Sequence, residues 1–274
     1  ATPSREPPLL SGPFIDRALS AINEAHVPAR YRDRCRGPRS PPAPKAADRG
    51  AESDSNRGTV LNTLTKFALG MMGQLRPRPA TGDAPACIDL PAPDKRGGMP
   101  LMDALARRHS ARVFSSAEIP LPMLSDLLWA AFGLNRADGG RTAPSALNAQ
   151  EIEVFVALRS GAYRFDAMSH QLQLVAGADV RRVTGYQDFV DEAPLDLVYV
   201  ADHKRLHMVP AALREAYAFA AAGAVAQNVY LYAASNSLAT VIRAWIDREA
   251  IAGALGLSPD QQVLLSQTVG FPKT

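Results

Sequence analysis

The sequence predicts an α+β fold in which a central, mainly antiparallel sheet is flanked by helices. Strand-like segments follow one another in the middle of the chain without strict alternation with helices. No glycine-rich dinucleotide fingerprint follows a strand, so a doubly wound parallel sheet is not expected. A chain of 274 residues with 47% hydrophobic content is long enough to bury one sizeable core.

Three helices are predicted in the first half of the chain. Residues 60–72 are apolar but interrupted by Lys66, which favours an amphipathic helix over a signal sequence. Residues 101–107 have helical spacing and arginines at the C-terminal end. Residues 121–132 place their leucines on one stripe, and Gly133 is suited to cap this helix.

The second half is predicted to supply the sheet. Short strands are expected at residues 151–158, 162–166 and 171–175, and a buried strand at 195–201. Residues 239–246 are again typical of a strand, and 262–269 form the last one. Between these two, Asp247 is a suitable N-cap for a helix that runs through Leu255 and ends at Gly256.

An uncharged run from residue 216 to 242 is long enough to cross a membrane. Small residues recur along it, and amides and serines interrupt it. A long helix that is buried on all sides inside a protein domain has the same pattern. We therefore expect a buried helix and no membrane span.

The first 85 residues predict a low-complexity, disordered leader, and residues 86–274 predict one domain. Of the 22 prolines, 14 precede Gly98, and the basic residues of the chain are in excess in the same stretch. Residues 30–36 are the only basic cluster with an aromatic side chain, but the prolines that follow it favour a charged linker, so no nucleic acid is expected.

Two motifs carry the chemistry. The first motif, residues 108–114, places Arg108 and Arg112 four positions apart around Ser110. Arginine binds phosphate oxygens two at a time and stays charged, so the spacing suits a phosphorylated ligand, although a basic helix end has the same composition. The second motif, residues 143–150, follows thirty residues later with the sequence APSALNAQ.

Together these motifs resemble the flavin-binding signatures of the nitroreductase family, in particular its short branch similar to the SagB-type dehydrogenases. The matching phrases lie in the expected order at residues 90–93, 107–112, 127–136, 141–145, 193–194, 227–231 and 269–272. The resemblance covers about two thirds of the chain. It implies the nitroreductase-like fold and a homodimer with one FMN in each subunit interface.

The resemblance assigns the first motif to the phosphate and ribityl side of FMN. Arg108 and Ser110 correspond to phosphate contacts, and His109 contributes through its backbone. Arg112 matches the basic residue near the flavin N1 and O2 edge, where it supports the negative charge of the reduced ring. Lys273 matches a C-terminal basic residue that approaches the phosphate.

The remaining cofactor-binding residues come from the second motif and from the strand after the long helix. Pro144, Ser145 and Asn148 match a loop that reaches the flavin from the partner subunit. The segment formed by Ile242, Arg243 and Ala244 matches the one whose backbone N–H faces flavin N5 and O4. The family often has glycine where this chain has Ala244.

The implied activity is that of an FMN-dependent oxidoreductase. A reduced nicotinamide, NADH or NADPH, delivers hydride to N5, and a small-molecule acceptor such as a quinone or nitroaromatic is reduced next in a ping-pong cycle. No protein side chain is expected to be catalytic. Two alternatives stay open: a SagB-like dehydrogenase that oxidises a peptide or a small molecule, and a flavin-binding protein without turnover.

Other residues have ordinary interpretations beside functional ones. Trp129 is more typical of a core residue than of a stacking platform, and Asn228 is as consistent with a satisfied buried amide as with a flavin contact. His203 and His207 lack a third ligand, so no metal is expected. The cytoplasm is the expected location; an exported or tethered form stays open because the chain begins at Ala1 without a methionine.

Overall fold

The computed structural model describes residues 61–273. Seven strands form one sheet in the order β2-β5-β4-β3-β7-β9-β8, with every neighbouring pair antiparallel, and β1 and β6 form a separate pair. The strands are β1 (Arg78–Pro79), β2 (Cys87–Asp89), β3 (Ile152–Ala157), β4 (Ala162–Asp166), β5 (Gln171–Ala176), β6 (Ala178–Asp179), β7 (Leu195–Asp202), β8 (Ala239–Arg243) and β9 (Gln261–Gly270). The predicted α+β architecture is confirmed.

The helices lie on the two faces of this sheet. They are α1 (Thr63–Met71), α2 (Leu101–Arg107), α3 (Leu121–Phe132), α4 (Ala211–Ser235) and α5 (Arg248–Leu255). Short 3₁₀ turns cover Ala146–Asn148, Val180–Thr184, Asp188–Asp191 and His203–Leu206. The six predicted strand regions from residue 151 onward and all the predicted helices are present, with ends that differ by a few residues.

The central strands are apolar on both sides because both faces of the sheet are covered. In β3, Val154 and Val156 pack in the core under α3 and α4, whereas Phe155 packs in the second core near α5. Strand β7 alternates in the same way, with Tyr199 on the first side and Val198 on the second. This period of two explains why β7 has the hydrophobic run of a buried strand.

Helix α5 forms where local signals specify it. The side chain of Asp247 accepts a hydrogen bond from the backbone N–H of Ala250, which satisfies one free donor of the first turn. At the other end, Gly256 has φ +62°, the left-handed conformation that favours glycine at a helix C-terminus. The predicted cap and stop are confirmed.

The long helix α4 differs from the expectation of burial on all sides. Its inner face, which includes Ala218, Ala222 and Val225, is fully buried, but Leu213 and Tyr217 are 43% and 40% exposed. Within the described residues, no helix has the length and apolarity that a membrane crossing requires. The sequence pattern did not reveal the exposed stripe because alanine and glycine, which make up much of it, are neutral in polarity.

Residues 61–85, which the sequence assigns to the leader, include α1 and β1. Lys66 of α1 is fully buried and forms an ion pair with Asp191, with 2.8 Å between Nζ and Oδ1. Arg78 of β1 forms an ion pair with Asp179. Because these contacts join the segment to the sheet domain, we propose that the folded domain begins before Thr63 and not at residue 86. The rest of the predicted leader, residues 1–60, lies outside the described residues.

Candidate functional site

The first motif follows α2 and lies along the edge strand β8. The backbone N–H of Ala111 donates to the carbonyl of Thr240 at 3.0 Å. The Ser110 hydroxyl lies 2.7 Å from the Tyr230 hydroxyl on α4. The Arg108 guanidinium stacks above the Tyr230 ring, 5.3 Å from its centroid. The motif is therefore held against one side of α4 and the free edge of the sheet.

The end of the chain returns to the same place. The backbone N–H of Ser115 donates to the carbonyl of Phe271 at 2.8 Å, and Phe114 forms an antiparallel bridge with Pro272. Lys273 follows directly and is exposed. The structure thus brings together the first motif and Lys273, which are 160 residues apart in the sequence.

Positive charge gathers at this edge without a matching anion. Arg112 and Lys273 are exposed, and Arg108 is half-buried. None of these three cations forms an ion pair with another residue in the 61–273 range. Cationic side chains that lack a counter-charge are suited to an anionic ligand.

The His109 side chain contacts the turn that precedes the first motif. Its ring is exposed, and Nδ1 lies 2.8 Å from the carbonyl of Arg107 in the preceding turn. The contribution of the His109 backbone to cofactor binding stays a prediction.

The three residues at the end of β8 have different environments. The backbone N–H of Ile242 donates to the Tyr230 hydroxyl at 3.0 Å, so this donor is already used. Thr240 and Ile242 both direct their backbone groups to the free edge, and Ala244 follows the last residue of β8 in a bend. Ala244 is exposed and is the candidate donor for a ligand.

Arg243 has a structural role. It is 6% exposed, and its guanidinium binds Asp196 of β7, donates to the Thr184 carbonyl at 2.9 Å and to the Thr268 hydroxyl at 2.8 Å. Burial raises the pKa of Asp196 and lowers that of Arg243, and their pairing opposes both shifts. The Arg243 side chain is thus not available to a cofactor; only the backbone of this predicted site residue can take part.

The second motif is a strained loop. Leu147, Asn148 and Gln150 have φ values of +55°, +51° and +51°, the left-handed region that residues other than glycine adopt at a cost. The Ser145 hydroxyl accepts a hydrogen bond from the Gln150 N–H at 2.9 Å. Gln150 also donates from Nε2 to the Asn148 side chain and to the Gly139 carbonyl. Because hydrogen bonds hold this conformation, Asn148 and Pro144 are presented at the surface.

The Arg141 side chain forms a hydrogen bond to the same loop. Its Nε donates to the side chain of Gln150 at 2.9 Å, and its guanidinium lies 5.1 Å from the centroid of the Phe132 ring. Burial lowers the pKa of Arg141 to about 10, so it stays charged at neutral pH. Arg141 and the loop line an open cleft of about 510 Å³. The sequence analysis quoted Arg141 within a matching phrase but gave it no role.

The two motifs lie on different sides of α4. Tyr230 holds the first motif, whereas the Asn228 amide donates to the Thr142 carbonyl at 3.3 Å beside the second. An α-helix turns about 100° per residue, so side chains two positions apart leave it in nearly opposite directions. One chain therefore separates its own two motifs.

Two further sequence interpretations can be compared with the structure. Asn228 donates to the carbonyls of Ala131 and Thr142. Its amide is therefore satisfied within the protein, as the first of the two interpretations expects. Trp129 is half-buried, and its indole N–H donates to the Leu134 carbonyl, so it shapes the turn after α3. The described residues contain no group of three or more side chains able to hold a metal ion.

Comparison with known proteins agrees with this geometry. A family model described as the nitroreductase family matches residues 105–271, more than half of the chain, and the match includes both motifs and β8. The chain belongs to the nitroreductase family. Its members are oxidoreductases. Residues 61–104, which include α1, lie before the matched part of this nitroreductase.

Relatives support the same assignment. A protein assigned as a nitroreductase in Methanocaldococcus jannaschii is 32% identical over 160 residues, 54% of this chain and 81% of that protein. The structure of a protein assigned as a nitroreductase from Ralstonia eutropha JMP134 is 50% identical with a TM-score of 0.71, and the match covers 73% of this chain and 96% of that one. The Escherichia coli microcin synthetase complex McbBCD shares the fold alone, with a TM-score of 0.54 at 16% identity over 77% of this chain and 92% of that one.

Proposed function

We propose that this nitroreductase is an FMN-dependent enzyme that transfers electrons from NADH or NADPH to a small-molecule acceptor in a ping-pong cycle. The observation that carries the proposal is the cluster of Arg108, Arg112 and Lys273, three cations without an ion-pair partner in the described chain. A phosphate group supplies the missing negative charge, and the adjacent Ser110 supplies a hydroxyl for it.

The residues present fit the other parts of FMN. Arg112 is the candidate cation for the N1 and O2 edge of the isoalloxazine ring, and the Ala244 N–H is the candidate donor for the N5 and O4 edge. The methyl group of Ala244, where the family often has glycine, still leaves the backbone donor in place. When bound, FMN supplies the hydride chemistry at N5, and the side chains bind and orient it.

The proposed active unit is a homodimer. Pro144, Ser145 and Asn148 of one subunit lie on the far side of α4 from that subunit's own phosphate site, so a second copy is required to bring the two walls together. Helices α2 and α4 pack against each other and expose large apolar side chains that suit this interface. These side chains are Leu101, Met102, Leu105, Leu213 and Tyr217.

The test starts with the purified protein. We expect bound FMN that is released on denaturation and that loses its oxidised absorbance when NADH or NADPH is added without oxygen. A flavin that stays oxidised with both donors would favour a binding protein without turnover. A flavin that is reduced only by a peptide or small-molecule substrate would favour the SagB-like alternative.

Substitution tests the phosphate assignment. Arg108→Ala removes a charge-assisted contact worth about 1.5 to 3 kcal/mol, so the Kd for FMN rises roughly tenfold or more. Arg76→Ala is the matched control, because Arg76 is an exposed arginine before β1 whose guanidinium donates to the carbonyl of the neighbouring Leu75. Equal FMN affinity in the Arg108 variant and the wild type, measured by fluorescence titration, would refute the assignment.

A further inference from the structure

Three aromatic rings meet where β8 ends. The ring centroids of Phe67 and Trp245 are 5.5 Å apart, those of Tyr186 and Trp245 are 5.2 Å apart, and Phe67 and Tyr186 meet edge to face at 5.5 Å. Tyr186 is 8% exposed, whereas Trp245 remains 49% exposed. The other two rings therefore support the indole on one side and leave much of it open.

The position of this cluster depends on α1. The buried ion pair of Lys66 and Asp191 fixes the helix, and Phe67 is the next residue. A Cβ added at Gly70 would lie 2.6 Å from Cε1 of Tyr186, so glycine is needed for the ring to fit against the helix. The support for Trp245 thus combines Phe67, from a segment that precedes the matched nitroreductase region, with Tyr186 from within that region.

Trp245 directly follows Ala244, the exposed residue in the bend after β8 that is the candidate backbone donor for a ligand. Its neighbour in sequence on the other side, Ile246, is buried in the second core, which anchors the backbone just after Trp245. An exposed indole held in this way loses little freedom when a planar ring stacks on it.

We propose that Trp245, supported by Phe67 and Tyr186, is the specificity-determining platform on which the electron acceptor stacks, and that the acceptor is a planar quinone or other aromatic ring. This inference depends on the proposed function, because it places the acceptor beside Ala244 at the candidate N5 edge. In each turnover with a quinone, NADH gives a hydride and water gives a proton, which yields NAD⁺ and the hydroquinone.

The experiment compares two acceptors in the FMN-loaded protein, with menadione as the quinone and ferricyanide as an acceptor without a ring. Trp245→Leu should raise the ratio of the menadione KM to the ferricyanide KM about tenfold, which corresponds to the loss of one stacking contact. Trp245→Phe should keep the ratio of the two KM values close to that of the wild type, because phenylalanine keeps an aromatic face. Met72→Ala, at the exposed apolar residue that directly follows α1 and lies outside the ring cluster, should leave the ratio unchanged.

The outcomes separate this inference from the proposed function. A wild-type protein that binds no FMN or does not oxidise NADH refutes both. Wild-type turnover with an unchanged acceptor ratio in Trp245→Leu refutes the platform alone. A Trp245→Leu protein that dissociates into monomers, as judged by sedimentation, shows that the indole belongs to a subunit interface and also overturns the platform.

Discussion

At the scale of single residues, Tyr230 connects three parts of the candidate site. Its hydroxyl lies 2.7 Å from the Ser110 hydroxyl and accepts the Ile242 N–H at 3.0 Å, and its ring lies under the Arg108 guanidinium. The side chain is 6% exposed. One phenol on α4 thus sets the distance between the first motif and β8.

We expect Tyr230→Phe to weaken FMN binding without unfolding the protein. The substitution keeps the ring under Arg108 and removes two hydrogen bonds of about 0.5 to 1.5 kcal/mol each, so the Kd rises roughly tenfold. Tyr232→Phe is the control, because its hydroxyl donates to the Met123 carbonyl on another side of α4. Similar Kd values for both variants in a flavin titration would contradict the bridging role of Tyr230.

Glu151 is a second residue whose environment has a measurable consequence. It is fully buried beside the second motif, and neither carboxylate oxygen has a hydrogen-bond partner on another described residue. Burial raises the pKa of Glu151 above its ordinary value of 4.5, against the opposing effects of a backbone hydrogen bond, Arg205 and His203. The folded protein therefore binds this proton more tightly than the unfolded chain.

A raised carboxyl pKa means that folding is favoured at low pH and loses this contribution as pH rises from 4.5 through the folded-state pKa. In the Glu151→Gln variant the side chain at this position does not titrate, so this contribution to the pH dependence is absent. We expect the free energy of unfolding of the variant, relative to the wild type, to increase over this pH range. Urea titrations of both proteins at several pH values measure it, and a difference that stays constant or falls with rising pH would contradict the assignment.

At the scale of elements, α1 is attached to the domain by charge more than by apolar packing. Lys66 is fully buried and contacts Asp191 and the Gln187 carbonyl, whereas Leu64 and Met71 of the same helix are 80% and 74% exposed. Burial lowers the pKa of Lys66, and the nearby carboxylate of Asp191 opposes this shift. Removing Lys66 leaves the buried carboxylate of Asp191 with the longer ion pair to Arg182, 3.4 Å between Nε and Oδ2, and removing Asp191 leaves the Lys66 charge buried without an ion pair among the described residues.

Lys66→Met should therefore lower the free energy of unfolding by about 3 kcal/mol, and a Lys66→Met/Asp191→Asn double variant should lose less than the single variant. Lys204→Met is the matched control. Its ion pair with Asp260 has nearly the same length, 2.7 Å, but lies at the surface, and surface pairs contribute about 1 kcal/mol or less. Equal losses in the two single variants, measured by denaturant unfolding, would show that α1 is not docked through Lys66.

At the scale of the whole molecule, α4 separates the two candidate flavin-binding motifs. Tyr230 holds the first motif and Asn228 lies beside the second, on nearly opposite sides of the helix. In a symmetric dimer each interface repeats, so two complete sites arise from four half-sites. The proposed site is therefore a property of the dimer.

We expect Arg112→Ala and Asn148→Ala each to impair turnover as homodimers and to regain activity when mixed. A heterodimer of the two combines both defects in one site and leaves the other site native, so up to half of its sites are active. Activity is measured after subunit exchange, with mixed mass-tagged subunits as proof of exchange. Confirmed exchange without recovered activity, or an active monomer, would exclude a shared site.

The sequence by itself determined the features that depend on neighbouring residues. The cap at Asp247 and the stop at Gly256 define α5, and the apolar run of β7 indicates a strand covered on both faces. The motifs also suffice for family membership, because their residue types and order are local properties. The assignment of individual cofactor contacts stays a prediction.

Only the tertiary structure decided which side chains meet across the chain. Strand β8 ends at Arg243, whose guanidinium binds Asp196, 47 residues away, and the strand-like pattern through residue 246 shows neither feature. Lys66 has the composition of a surface residue until Asp191, 125 residues away, gives it a buried partner. Charge and aromatic contacts over such distances depend on the packing of whole elements, and local periodicity carries no information about them.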